Sequence, residues 1–127
     1  MADHRAKSND PLAALRRICL SLPETTERLS HGEPTWFVRD KKVFVTYANR
    51  HHDDRIAFWC AAHDGVQESR LAEDPDRFFR PPYVGHRGWL GVYVDGPVDW
   101  ADVEDLVEEA YRIVAPARLA ASLDDES

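Results

Sequence analysis

Only two cysteines, Cys19 and Cys60, occur among the 127 residues. Neither belongs to a C-x-x-C pair or stands at zinc-ligand spacing from a histidine, which excludes the usual structural zinc sites. Each sits inside an apolar pattern, one helical and one strand-like, so both read as reduced thiols of the core. No apolar run approaches the ~20 residues that a membrane-crossing helix requires. The first ten residues, MADHRAKSND, are polar and lack the apolar stretch of a secretory signal, so they read as a frayed tail on a cytoplasmic protein. A glycine-rich phosphate loop, a G-x-S-x-G elbow and an H-E-x-x-H helix are all missing. Dense carboxylates occur only on a helix surface, with no apolar pocket to raise one pKa above another. These absences argue for a protein that is not an enzyme and needs no cofactor or metal. A basic excess is missing as well. The net charge is −7, and residues 91–127 carry two basic residues against ten acidic ones, so the whole excess belongs to the C-terminal helix and tail. A generic polyanion binder shows the opposite imbalance.

What is present suits one globular domain. A chain of this length buries roughly two thirds of its unfolded surface, and 43% hydrophobic with 31% charged residues supplies a core and a solvated exterior. The domain is expected over residues 10–122, between a disordered tail (1–9) and a disordered acidic end (123–127). A first helix starts at Asp10 as N-cap with Pro11 at the first helical position. Its apolar stripe is Leu12, Leu15, Ile18, Cys19 and Leu22, and Pro23 ends it. Strands are predicted at Thr25–His31, Thr35–Val38, Val43–Tyr47 and Arg55–Ala61, with a break at Gly32-Glu33-Pro34 and a hairpin at Arg39–Lys42. A short helix follows over His63–Glu73, capped by Asp64. The last helix opens at Asp99, with Val103, Leu106, Val107, Ala110, Tyr111 and Val114 at helical spacing. Pro116 breaks or kinks it. Together these elements describe an α+β domain, a mostly antiparallel sheet with the N- and C-terminal helices packed on one face.

The segment Phe78–Tyr93, FFRPPYVGHRGWLGVY, reads as a tight hairpin. Arg80-Pro81-Pro82-Tyr83 is stiff and extended. Gly85 and Gly88 supply positive φ in the turn, and a returning strand starts at Trp89. Period-two alternation sets Leu90, Val92 and Val94 on one face and Trp89, Gly91 and Tyr93 on the other.

LSLPETTE after the first helix, HGEPTWFV and KKVFVTY in the early strands, PPYVGHRGW, and VDW before the last helix resemble the MmcQ/YjbR family in order and spacing. The likeness spans roughly Leu12 to Leu119, and PPYVGHRGW is its most specific part. It implies a CyaY-like (frataxin-like) two-layer sandwich. It also implies a DNA-binding role, assigned because the fold is similar to a double-wing DNA-binding domain. It brings no catalytic motif.

Three groups of residues are candidates for a site. Trp59, Trp89 and Tyr93 fall opposite the aliphatic faces of their strands. If helices cover only the aliphatic side, their rings line an open sheet surface, and nucleic-acid bases stack on such rings at ~1–3 kcal/mol each. Arg50, Arg55, Arg80 and Arg87, with Lys41 and Lys42 at a hairpin tip and Tyr83 and His86 on the 78–93 turn, complete that candidate interface. Weak, salt-sensitive DNA binding is then expected. The same rings could instead complete the packing, bury a homodimer contact, or hold a small aromatic compound. The second group, His51-His52-Asp53-Asp54, has metal-capable side chains, but neighbours in an extended loop point apart and read as a solvated loop. The third, Asp102, Glu104, Asp105, Glu108 and Glu109, reads as a solubilising helix face. The frataxin pattern places an acidic iron-holding ridge on the first helix, where this chain has Arg16 and Arg17.

Overall fold

A computed structural model of the protein describes residues 10–49 and 54–125. The predicted tail 1–9, the loop residues Arg50, His51, His52 and Asp53, and residues 126–127 lie outside the described part. Helix α1 spans Pro11–Leu20, and the Asp10 carboxylate accepts from the Leu12 and Ala13 amides at its start. Strands β1 (Thr25–Ser30), β2 (Glu33–Val38), β3 (Lys42–Asn49) and β4 (Ile56–Cys60) follow, then helix α2 (Val66–Glu73), the two-residue strand β5 (Phe78–Phe79) and β6 (Leu90–Tyr93). Helices α3 (Trp100–Val114) and α4 (Ala117–Asp125) close the described chain. The six strands form one antiparallel sheet in the order β1-β2-β3-β4-β6-β5. None of the described helices is long and apolar enough to cross a membrane.

Register separates the two faces of the sheet. Trp36, Val45, Cys60 and Leu90 stand opposite one another across β2, β3, β4 and β6. Directly opposed residues share a face, and these four pack with Leu15 and Cys19 of α1 and Val103, Val107 and Tyr111 of α3. The α3 stripe is buried from Val103 to Tyr111 as its spacing predicts, with Val114 half-buried, and each large aliphatic side chain fully buried there contributes about 1.5–3 kcal/mol. The Tyr111 hydroxyl donates to the Pro23 carbonyl at 2.8 Å, tying α3 to the end of α1. One residue on, Thr35, Thr46, Trp59, Gly91 and Phe79 share the opposite face. A bulge between β2 and β3 inserts Phe44, whose ring meets Tyr111 edge-on at 5.7 Å.

Ion pairs hold the margins. Arg16 binds Glu27 through two bonds of 2.8 Å, and the Trp36 indole donates to the same carboxylate at 3.0 Å. Arg16 foremost, against the opposing effect of burial, holds the Glu27 carboxyl below its usual range. Arg28 and Asp40 pair beside it, as do Arg39 and Glu24. Asp102 of α3 takes both Arg70 and Arg77. Burial pushes that carboxyl up, but hydrogen bonds and charge from the two guanidinium groups outweigh it and hold Asp102 low.

Several expectations change. Strand β1 ends at Ser30 and β2 starts at Glu33, so His31, expected in the first strand, forms with Gly32 a two-residue turn in which both have positive φ. The N-cap of α2 is Gly65 at φ 88°, not Asp64. A left-handed cap favours glycine, and no side chain bonds the helix start. Helix α4 continues through Asp124 and Asp125, where a disordered acidic end was expected, because its Leu119 is buried and Arg112 of α3 bonds the Asp124 carboxylate at 3.0 Å. The 78–93 segment is not a tight hairpin. Only Phe78 and Phe79 pair with β6, and residues 80–89 form a long connection containing a 3₁₀ turn at Gly85–Arg87.

Candidate ligand-binding cleft

The long connection is what shapes the second sheet face. Two prolines keep the chain from returning at once to the ladder. Tyr83 then takes φ +66° and Gly88 φ +85°, and between these left-handed residues the chain winds through the 3₁₀ turn. Gly85 is not left-handed. It is small because Arg80 passes beside it, and a Cβ there would lie 2.7 Å from the Arg80 Cγ. Gln67 of α2, 4% exposed, clips the connection from within. Its amide donates to the Gly85 carbonyl at 3.0 Å and the Trp89 carbonyl at 2.6 Å, while its Oε1 accepts from Arg80 at 3.3 Å. All three bonds use a side chain that would otherwise be costly to bury.

So held, the connection walls one side of a cleft of about 520 Å³. Phe37 and Val43 of β2 and β3, Trp59 of β4, Trp89, Tyr83 and Val84 supply its apolar surface. Ser30, His31, Glu33, Thr35, Thr46, Tyr47 and Arg87 also line it. The Tyr83 and Trp59 rings lie 6.5 Å apart at a tilt of 54°, and the Arg87 guanidinium sits 5.5 Å from the Trp89 ring centre. Burial first, then the charges of Asp10 and Glu33, pushes the Tyr47 phenol up to about 12, so it stays neutral.

This geometry corrects the picture of rings looking out through an uncovered face. Trp59 is 8% and Trp89 4% exposed, because the connection folds against the sheet and encloses both indoles. They are walls of a recess, and only Tyr83, 71% exposed, stands out. Of the residues singled out in the sequence, Trp59, Tyr83, Arg87 and Trp89 come together at the cleft. Tyr93 does not. Its ring stacks on Phe79 at 4.5 Å under the Arg55 guanidinium at 3.8 Å. Arg55 is bound in turn by Asp95 through bonds of 2.8 and 2.9 Å. That pairing foremost, opposed by burial and aided by the Ile56 amide, keeps the Asp95 carboxyl low. Arg80 turns to Gln67, His86 is exposed on the turn without lining the cleft, and Lys41 and Lys42 lie exposed at the β2–β3 turn. Arg50 is outside the described residues.

The acidic residues of α3 are largely engaged. Besides Asp102, Glu108 binds Arg112, and Glu109 meets His63 at 3.2 Å. Among the described residues no three His, Cys, Asp or Glu side chains are grouped to hold a metal ion.

Phe37, Val43, Thr35 and Thr46 are cleft residues that the sequence reading did not single out, and although alternation holds for Thr35 and Phe37 on β2, it does not for Val43 and Thr46 on β3. The bulge at Phe44 puts Val43 and Thr46, an odd number of residues apart, on the same side. Simple alternation fails at such a site.

Fold and cleft together define a small α+β domain with one helical layer and a recessed apolar cleft on the other sheet face. Residues 20–113 match the YjbR family model, and the chain belongs to the YjbR family. It is similar in fold to the Deinococcus radiodurans protein DR2400, known from a crystal structure with a DUF419 domain. The TM-score is 0.66 at 15% identity, over 79% of this chain and 75% of that one. No curated protein matches.

Proposed function

We propose that this YjbR-family domain is a non-catalytic cytoplasmic binding module whose cleft takes a small, flat aromatic molecule. The observation that carries the reading is a recess of about 520 Å³ walled by two buried indoles and Phe37. Small-molecule sites typically measure about 300–1,000 Å³ and combine apolar walls with a few polar groups. Stacking on such walls favours planar ligands. Nuclear magnetic resonance tests this directly. The indole N–H signals of Trp59 and Trp89 are expected to shift saturably with 2-naphthol at up to about millimolar concentration, and Thr46→Phe, which fills the cleft, is expected to abolish the shift. No saturable shift in the parent protein would overturn the reading.

A second reading, binding of single-stranded DNA, is favoured by Arg87, which has no acidic partner among the described residues. One unstacked base would enter the cleft with a phosphate on Arg87. Arg55 and Arg80 bond within the protein, so few phosphates would be neutralised. Affinity should then fall only gently with salt, by a logarithmic slope of roughly −1. Fluorescence anisotropy of a labelled oligothymidylate at two salt concentrations checks it, and a steep slope or no binding counts against it. Self-association through the same face would instead cover the cleft mouth, and sedimentation at rising protein concentration would reveal it.

A further inference from the structure

The polar groups of the cleft differ in kind from one side to the other, and the difference follows from counting protons. A hydroxyl has one proton to give. The Thr35 Oγ1 lies 3.0 Å from the Glu33 carbonyl oxygen and 2.8 Å from the Thr46 Oγ1. A carbonyl oxygen can only accept, so the Thr35 proton goes to Glu33. Thr35 must then accept from Thr46. Thr35 is 2% exposed, so bulk water does not reorganise this chain. With its proton committed, the Thr46 hydroxyl presents only lone pairs to the cleft. The Glu33 carboxylate, which accepts from the Asn49 amide at 2.9 Å, also lines this side. Where Thr46 and Glu33 meet the cleft, the sheet side therefore offers acceptors, while Ser30, His31 and Tyr47, which also line it, keep side chains able to donate. The 3₁₀ turn presents the reverse. Arg87 has five donors and no acceptor, and its guanidinium stands over Trp89.

We infer that the ligand is an aromatic acid with an N–H or O–H donor on its ring: the donor meets Thr46, the plane lies against the indole walls, and the anionic group meets Arg87. The inference rests on the reading of the cleft as a site for flat aromatic molecules, and it adds the ligand's charge and the order of its polar groups. In this orientation a cationic aromatic would set like charge against Arg87, and turned round to bring its charge to Glu33 it would face its ring donor to Arg87, which has no acceptor. An aromatic without a ring donor would strip water from the Thr46 lone pairs and return nothing.

Isothermal titration calorimetry with indole-3-acetate, 1-methylindole-3-acetate and tryptamine tests it. Indole-3-acetate is expected to bind about tenfold or more tightly than tryptamine, the range for hydrogen bonds to a charged group, and about three- to tenfold more tightly than its N-methyl analogue, the range for a neutral bond. Arg87→Gln should erase the first difference and keep the second. Thr46→Val should erase the second and keep the first, while Thr46→Ser, which restores the hydroxyl chain, should recover it. Circular dichroism confirms that each variant is folded. If tryptamine binds as tightly as indole-3-acetate, or if the differences survive in the variants, the polarity argument fails while the aromatic cleft stands. If none of the three probes binds, both fail.

Discussion

Replacing Gln67 by leucine probes the link between core and cleft. The two side chains are similar in size, so the change removes polarity with little change in volume. Of the two carbonyls that Gln67 serves, Gly85 keeps a bond from the Gly88 amide at 3.0 Å. Trp89 loses its 2.6 Å bond within a residue only 4% exposed. An orphaned buried carbonyl costs about 1–3 kcal/mol, and a lost second bond about 0.5–1 kcal/mol more. Arg80 is exposed and recovers water. The expected loss is about 2–3 kcal/mol, read from urea unfolding followed by far-ultraviolet circular dichroism. The site should suffer more than the fold. The 80–89 connection loses its clip, so Trp89 emission shifts to the red and the Gly88 and Trp89 amides exchange faster, while helix content is unchanged. Should Gln67→Leu fall within about 0.5 kcal/mol of the parent, the range of ordinary surface changes, and keep its cleft, the account of the clip is wrong.

Two further tests address the margins of the sheet. A Cβ on Gly91 would have three atoms of the Phe79 ring within 2.6 Å, and that ring is already stacked on Tyr93. Gly91→Ala is therefore expected to destabilise by about 1–3 kcal/mol in chemical denaturation, and to be neutral or stabilising in a Phe79→Ala background. Equal effects in both backgrounds would contradict the contact. Asp95, Asp102 and Glu27 all have lowered carboxyl pKa values in the fold. Their contribution is present above the unfolded values and lost as pH falls through the folded ones. Thermal unfolding should thus show stability dropping below about pH 4, less steeply in Asp102→Asn. A slope unchanged by that substitution would remove Asp102 from the account.

Most of the architecture was legible because it depends on local periodicity. The α1 cap at Asp10-Pro11, the α3 stripe from Val103 to Tyr111 and the β-branched strands all follow from spacing and side-chain shape. The ends of α2 and α4 were less so, since Gly65 caps through its backbone and α4 rests on a single buried leucine and a long-range bond to Arg112. The site was half legible. Trp59 and Trp89 declared themselves by parity, but their enclosure did not. That depends on where Arg80–Gly88 lies, which Gln67 decides from another element. Arginines chosen for their charge proved a poor guide for the same reason. The acid that engages Arg55 is Asp95, 40 positions away, and no sequence window connects them.

The two flanks of the sheet differ in build but share an outcome. At one, β1 carries Arg28, locked to Asp40 across the turn, and Glu27, locked to Arg16. At the other, β5 stops after two residues and meets Pro81-Pro82, which have no amide hydrogen to offer an incoming strand. A neighbouring copy that approached side-on would have to displace charges at one border, or would find too short a ladder at the other. Crowding, in a cell or a concentrated preparation, should therefore not readily drive these domains into fibres.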